Sequence, residues 1–378
     1  MSEIIVKVQK ITDIKPHPSA DRLEIACVGA WTTCVKKNVF TVGDLIVFIP
    51  PDAILPESLH EYLGITQYCG EMPKSSEEAQ QGKRRVRATR LRGVKSFGTL
   101  MTLSDVELYM RSIGSTGFSA YNLVEDDDVA HLLGITKYEP PEKVVSGDMM
   151  ADNAMFPKYT SIERYQNYPG VFCEDDDVVI TEKIHGTNCR VGLVMTDEGL
   201  TWMAGSHRTR RKKTAADGRQ SLYWTPLDDH NVVDMIEFLQ EHTYVNQEAA
   251  SVIVYGEIYG PGIQDMHYGG RVEFRVFDIM VNGEYVDTSF MLDICSSYSV
   301  PTVPVLYIGK FSEAILMEHT DGKTDVCEHA TTKFKGREGC VVKSWFERTS
   351  DALPNCGRAI LKSVSADYLD RRGAIDNA

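Results

Sequence analysis

The chain has 378 residues, with 40 basic against 54 acidic side chains and a formal charge of −14 at pH 7. That length accommodates two or three domains, and the acidic balance excludes a protein that coats nucleic acid through a uniformly basic surface. Hydrophobic residues at 43% and charged residues at 25% exclude a mainly disordered chain.

No run of eighteen apolar residues occurs, and the start, MSEIIVKVQKI, lacks the long apolar stretch of a secretory signal. The expectation is a soluble intracellular protein, cytoplasmic or nuclear, with no membrane partner. The nine cysteines are scattered and form no C-x-x-C pair, which points to reduced thiols. Cys327 and His329 come nearest to a metal-ligand pair, but their spacing is wrong and no second pair joins them.

Residues 4 to 55 alternate short β-rich runs with turn signals: IIVKVQKI, KPHPSAD, RLEIACVGAW, KKNVFTVGD and LIVFIPPDA. Period-two patterning with frequent turns predicts a small β-barrel or sandwich. A polar loop, residues 71 to 82, leads to the further strand-like segments RRVRATRLRG and SFGTLMTL. The segment EPPEKVVSGD, 139 to 148, has paired prolines and no periodic apolar face, so a linker is expected there. The expected organisation is a module over 1–138, a linker over 139–150 and a second domain over 151–378.

Beyond the linker, strands are expected at VVITEK, RVGLVM, TWMAGS, SVIVYGEIYG, VEFRVFDIMV and CVVKSW, and helices at NVVDMIEFLQEH and SEAILMEH. Without repeated βαβ units, this mixture predicts an α+β domain with antiparallel sheets.

The stretch TEKIHGTN, 181 to 188, ends a strand in Lys183 and turns at once through Gly186. A strand-end lysine by itself usually snorkels to water. Four further strands carry charges inside or at their ends, namely GSHRTR, VYGEIYG, FRVFDI and REGCVVK, and RAILKSVS sets Lys362 in an apolar run. Charges in apolar strands cost roughly 2 to 5 kcal/mol unless paired or bound to a ligand. Five such segments in one domain predict a shared polar cleft.

These segments resemble, in order, the six motifs of the covalent nucleotidyltransferases, and within them the ATP-dependent RNA ligases. KIHGTN is similar to the nucleophile motif K-x-D/H-G-x-N, and GSHRT to the arginine motif that follows it. YGEIYG, FRVFDI, EGCVVK and AILKSVS resemble the remaining four. The family's DNA ligases and capping enzymes carry an OB barrel after the last motif, and too little chain follows Lys362 to hold one. The N-terminal module, with IKPHPSADRLEIACVG and VGDLIVFIPPDAILP, resembles an OB fold placed in front instead. Two positions depart from the pattern: Ile360 stands where the last motif, K-x-K, has its first lysine, with Arg358 as the partial substitute considered, and His185 stands where Asp is common.

The resemblance implies attack by the Lys183 amine on the α-phosphate of ATP, transfer of AMP to a 5′-phosphate, and sealing by a 3′-hydroxyl. An ordinary lysine is only about 0.1% neutral near neutral pH, so its amine must be depressed, by a divalent cation and by Lys343 and Lys362. Glu257 and Glu338 are the expected carboxylates for Mg²⁺ or Mn²⁺. Phe277 is the candidate to stack on adenine, with core packing as the equal alternative. Asp278 is expected to support the ribose or the groups around it. Glu182 and Asn188 are expected on the nucleoside and its ribose or phosphate, and Arg208 on a phosphate or the incoming 5′ end. The GKT at 322 to 324 is no phosphate loop, since Met317 stands where the first glycine of that motif belongs.

Two basic islands suggest the substrate. Lys83, Arg84, Arg85, Arg87, Arg90, Arg92 and Lys95 form one, and Arg208, Arg210, Arg211, Lys212 and Lys213 the other, together twelve of the 40 basic residues. Such density in an acidic chain suits phosphate-backbone contact, although alternate residues of a strand face opposite ways. The expected partners are RNA ends, at nicks in duplex RNA or RNA/DNA hybrids. The alternatives are a DNA ligase, a GTP-using capping-type enzyme, or a non-catalytic RNA-binding protein.

Overall fold

A computed structural model describes residues 4–115, 117–139, 147–242, 248–327 and 334–371. The chain divides into two compact units, one of Met1–Pro141 with Leu369–Ala378 and one of Glu142–Tyr368. Most of the expected linker, and His329, lie outside the described residues. Among the described residues no helix is long and apolar enough to cross a membrane.

In the first unit an antiparallel sheet orders the strands Thr99–Thr102, Leu45–Ile49, Val8–Pro16, Leu23–Val28 and Trp31–Lys36. Its two ends meet: the Phe97 amide donates to the Thr32 carbonyl (2.9 Å), and the Cys34 amide to Ser96 Oγ (2.9 Å). These bonds draw the ends of the sheet together around a core that includes Val8, Val47, Ile49 and Met101. A helix that was not expected, Leu103–Ser112, follows directly. Thr102 and Asp105 cap it reciprocally, which secures two of the amides that a helix start leaves unpaired.

The second unit is built on a seven-stranded and a five-stranded sheet, antiparallel except where Glu163–Arg164 runs parallel to Ile360–Val364. The predicted strands appear as Asp177–Lys183, Thr187–Thr196, Gly199–Ser206, Ser251–Tyr259, Glu273–Val281 and Gly339–Ser344. Alternation assigns their faces. Val191, Leu193, Val252, Val254, Ile279 and Val281 of the larger sheet pack beneath the helices His230–His242 and Thr288–Ser297. Val178, Ile180, Cys340, Val342 and Leu361 of the smaller sheet pack against Leu316 of the helix Glu313–Thr320. The remaining faces look at each other across a smaller cluster that includes Val194, Ile253, Tyr255, Met280 and Ile360. Where this cluster ends, the same alternation turns Lys183, Lys343 and Lys362 from one sheet, and Asn188 and Glu257 from the other, toward the shared space. The α+β, antiparallel architecture is the one the sequence predicts.

Candidate active site

Lys183 is the last residue of its strand and pairs with Gly339, so the residue before Gly339 lands beside the amine. Lys183 Nζ donates to Glu338 Oε1 at 2.5 Å, with the two side chains 14% and 1% exposed. The other oxygen of Glu338 is 3.2 Å from His185 Nδ1, and His185 Nε2 is 2.8 Å from Asp265 Oδ1. The Tyr368 hydroxyl is 3.0 Å from the same Nδ1, and the His185 amide donates to the Tyr268 hydroxyl at 2.8 Å. The sequence reading missed Asp265, Tyr268 and Tyr368. The first two sit in a loop, QDMHYGG, that has no strand or helix periodicity to mark it. His185, two residues after Lys183, thus brings in a carboxylate from a distant loop.

Gly186 explains how the turn brings the next strand so close. A Cβ there would lie 2.3 Å from the Ile258 carbonyl oxygen and 2.9 Å from Glu257 Cγ. Any side chain would push Glu257 away from Lys183. Glu257 stands opposite Asn188 in the register. Burial pushes the Glu257 carboxyl up to about 8, helped by the charge of Glu338 and opposed by Lys183 and the Gly186 amide. Burial acts the same way on Glu338, but there Lys183 and His185 outweigh it and hold the carboxyl below its ordinary value. One acid therefore keeps its proton at neutral pH while its neighbour does not. Among the described residues no group of three or more His, Cys, Asp or Glu comes together as a metal cage. Two carboxylates, with the other ligands left to water and phosphate, are the donor set that Mg²⁺ and Mn²⁺ take in phosphate chemistry.

A second charged centre lies where the sheets press together. Asp278 has 0% exposure and accepts from Arg358 Nη1 (2.8 Å) and the Tyr159 hydroxyl (2.7 Å), with Lys343 Nζ 3.5 Å away. Arg358 also donates to both oxygens of Glu347, at 2.7 and 2.6 Å, and lies 3.6 Å over the Tyr285 ring. Burial would raise Asp278, but Arg358 and Lys343 hold it below its ordinary value. Burial also depresses the Lys343 ammonium, offset in part by Asp278. Lys343 donates to the Phe277 carbonyl at 2.6 Å, so it ties the smaller sheet to the larger.

Several expectations change here. Glu182 points away from Lys183: its carboxylate accepts from Thr324 Oγ1 (2.5 Å) and the Asp325 amide (2.7 Å), so it anchors a loop instead of facing a nucleoside. Asp278 is a structural hub, and Arg358 is held by Asp278 and Glu347, so it does not stand in for the missing lysine. Ile360 is 3% exposed within the cluster between the sheets, where a lysine would have to bury its charge. Phe277 is part-buried, edge-on to Tyr159 at 4.8 Å. Lys362 is 2% exposed, beside Val341 in the register.

The basic islands divide by strand face. Arg85 is turned inward onto Asp52 and over the Tyr138 ring, and Arg211 is 2% exposed, with Nη1 2.8 Å from Asp148 Oδ1. Neither presents its charge to a polymer, contrary to the sequence expectation. Arg90 pairs with Asp370, Arg84 is 3.4 Å from Glu71, and Arg210 is part-exposed near Met150 Sδ. Arg87 is exposed, and with Arg84 it lines a cavity of about 630 Å³ together with Thr66, Gln67 and Gly70.

A model of the RNA ligase family matches residues 176–364, half of the chain, and an OB-fold domain model matches residues 5–103. Solved structures of an RNA ligase from Naegleria gruberi are similar over nearly the whole chain. A mutant with ATP and Mn is 22% identical with a TM-score of 0.70, covering 97% of this chain and 98% of that one. A mutant with AMP and Mn is 23% identical with a TM-score of 0.71 and the same coverage. The ligase with PPi is 23% identical with a TM-score of 0.68, covering 97% of each chain. These likenesses show a shared fold, and the closed N-terminal barrel is an OB fold. Lys183, Glu257 and Glu338 all fall within the span matched by the family model, and by that match the chain belongs to the RNA ligase family.

Proposed function

We propose that this enzyme is an ATP-dependent RNA ligase that joins a 3′-hydroxyl to a 5′-phosphate through a lysyl-AMP intermediate on Lys183, acting at nicks in duplex RNA or RNA/DNA hybrids. The observation that carries this reading is the seat of Lys183: a strand-end amine 2.5 Å from Glu338, with Glu257 close behind Gly186. ATP and Mn accompany the Naegleria ligase of the same fold, which supports both as ligands here.

Lys183 must shed a proton before its nitrogen can attack the α-phosphate, and its ion pair with Glu338 opposes that. Glu257 and Glu338 would hold Mg²⁺ or Mn²⁺; when bound, the ion supplies positive charge that disfavours the ammonium and stabilises the phosphate oxygens. Asn188, opposite Glu257, faces the same space and is placed for the ribose or phosphate. Lys362 lines the cleft wall and adds charge complementary to the phosphates, while Phe277 offers its ring to adenine. Arg208 meets a phosphate or the 5′ end. After AMP passes to the 5′-phosphate, the 3′-hydroxyl attacks and AMP leaves. Residues 1–138 act as the RNA-capturing module through Arg84, Arg87 and Arg90, joined by a linker over 139–150 to the adenylyltransferase domain, 151–378.

Incubation with α-labelled ATP and Mg²⁺ should leave a covalent label that Lys183→Ala abolishes. Label retained in that variant would sink the assignment, and label from GTP in preference to ATP would redirect it to a capping-type enzyme. Nicked duplexes in which each of the three strands is swapped between RNA and DNA define the substrate: sealing should require RNA at the 3′-hydroxyl side.

A further inference from the structure

Arg190 is 1% exposed, yet a hydrocarbon environment is a costly place for a guanidinium unless acceptors surround it. Its Nη1 donates to the Phe156 carbonyl at 2.6 Å and its plane lies 4.8 Å over the Phe156 ring. Among the described residues the carboxylate paired with it is Asp152, at 3.6 Å from Nη2 and itself 57% exposed and shared with Lys158. Nε and Nη2 are buried without a hydrogen-bond acceptor. Nearby, His207 Nδ1 is also buried without a hydrogen-bond partner, and Asn188 Oδ1 is buried without a donor.

The sheet register places these groups side by side. Arg190 lies between Gly205 and Tyr255, and Asn188 lies beside Glu257. The pairing of Cys189 with Ser206, continued by one residue, sets His207 next to Asn188. Asn188, Arg190 and His207 thus form a strip on the face that carries Glu257, with Asn188 and Arg190 one strand repeat, about 7 Å, apart. Gly205 makes room for it: a Cβ there would lie 3.2 Å from Arg190 Nε. Ser206 Oγ accepts from the Arg208 and Thr209 amides, which locks the turn that presents His207 and Arg208. Burial, with Arg190, Arg208 and Lys158 close by, lowers His207 to about 4, so its ring is neutral and one nitrogen still carries a hydrogen to donate.

We propose that Arg190 and His207, with Asn188, form an oxyanion-binding strip next to the Glu257 site that takes a phosphate of the reaction other than the α-phosphate. A phosphate monoester or pyrophosphate would supply acceptors to donors that otherwise have none. The phosphate comes either from the outer part of ATP or from the 5′ end of the RNA. The proposal rests on nucleotidyl transfer at Lys183, and the test separates the two.

Single-turnover labelling of Lys183 and AMP transfer to a 5′-phosphorylated RNA are measured for wild type, His207→Ala and Arg190→Lys, alongside melting with inorganic pyrophosphate. If the strip holds the outer phosphates of ATP, both variants need about ten-fold more ATP for half-maximal labelling, at little-changed maximal rate, and lose the pyrophosphate-induced rise in Tm. If it holds the RNA end, labelling is unchanged and AMP transfer falls about ten-fold. Both steps at wild-type levels in both variants would overturn the proposal. Should Arg190→Lys fail to fold, His207→Ala alone decides. A wild-type protein that never labels Lys183 overturns the nucleotidyl-transfer reading instead. The strip is then judged by melting: loss of the pyrophosphate shift in His207→Ala supports it, and retention refutes it.

Discussion

The catalytic domain holds two charged centres that differ in how completely they are balanced. Around Asp278, a fully buried carboxylate meets Arg358, Lys343 and Tyr159, and Arg358 is satisfied again by Glu347 and Tyr285. Around Lys183, two acids share one amine, and Glu257 keeps its proton because burial and the neighbouring Glu338 leave no room for a second negative charge. The Asp278 centre ties the two sheets together through charges that answer one another, although Asp278 Oδ1 makes no hydrogen bond and has Lys343 Nζ 3.5 Å away. Around Lys183 one of the two acids stays protonated, an arrangement that entry of a cation at the proposed site would change, whereas the Asp278 centre acts as a brace beside it.

Breaking the brace should have the largest effect. Asp278→Asn leaves two buried cations without their carboxylate and should cost about 3 to 5 kcal/mol of stability, read by urea denaturation. Glu257→Gln should do the opposite in metal-free buffer. Folded Glu257 holds its proton up to about 8, whereas unfolded it ionises near 4.3, so the folded state binds more protons between those values. Stability of the wild type should therefore fall as pH rises from about 5 to about 8. Glu257→Gln should flatten that slope, gain roughly 1 to 3 kcal/mol near pH 8, and lose Lys183 labelling. A steeper slope in the variant would refute a proton held on folded Glu257.

Glu182→Ala is the next smaller test. It strands the Thr324 hydroxyl and the Asp325 amide and should cost about 1 to 3 kcal/mol, while the ATP concentration for half-maximal labelling stays near wild type. A large rise in that concentration would return Glu182 to the nucleoside. The smallest effect is expected at the surface. Arg87→Ala should lower the slope of log RNA affinity against log salt by about 1, whereas Arg211→Ala should lower Tm without that change.

How much was legible in the sequence follows from the same contrast. The strands were legible because burial on both faces makes near-continuous apolar runs, as in VVITEK and SVIVYGEIYG, and a charge in such a run stands out. Lys183, Glu257 and Glu338, on which the proposed function rests, stood out in the sequence for that reason. Orientation was less so: Glu182 and Lys183 are neighbours in sequence but occupy opposite faces of one strand, and motif order alone does not say which face is the cleft. Arg85 and Arg211 were misread because an inward arginine with a distant acid looks, in sequence, like an outward one. Asp265 and Tyr368 were invisible, since their link to His185 joins segments 80 and 183 residues apart. The Leu103–Ser112 helix did leave a trace in the T-x-x-D spacing of Thr102 and Asp105, which went unused.

Gly186 has a consequence for tuning. Because its missing side chain lets the Ile258 carbonyl and Glu257 approach within contact, the gap between the amine strand and the acid strand is set by hydrogen alone. The position works as a feeler gauge: alanine would insert one carbon and prise the two strand ends apart by a fraction of an ångström. A reaction that tolerates only small errors in the placement of its nucleophile would register that displacement as lost rate before any loss of folding.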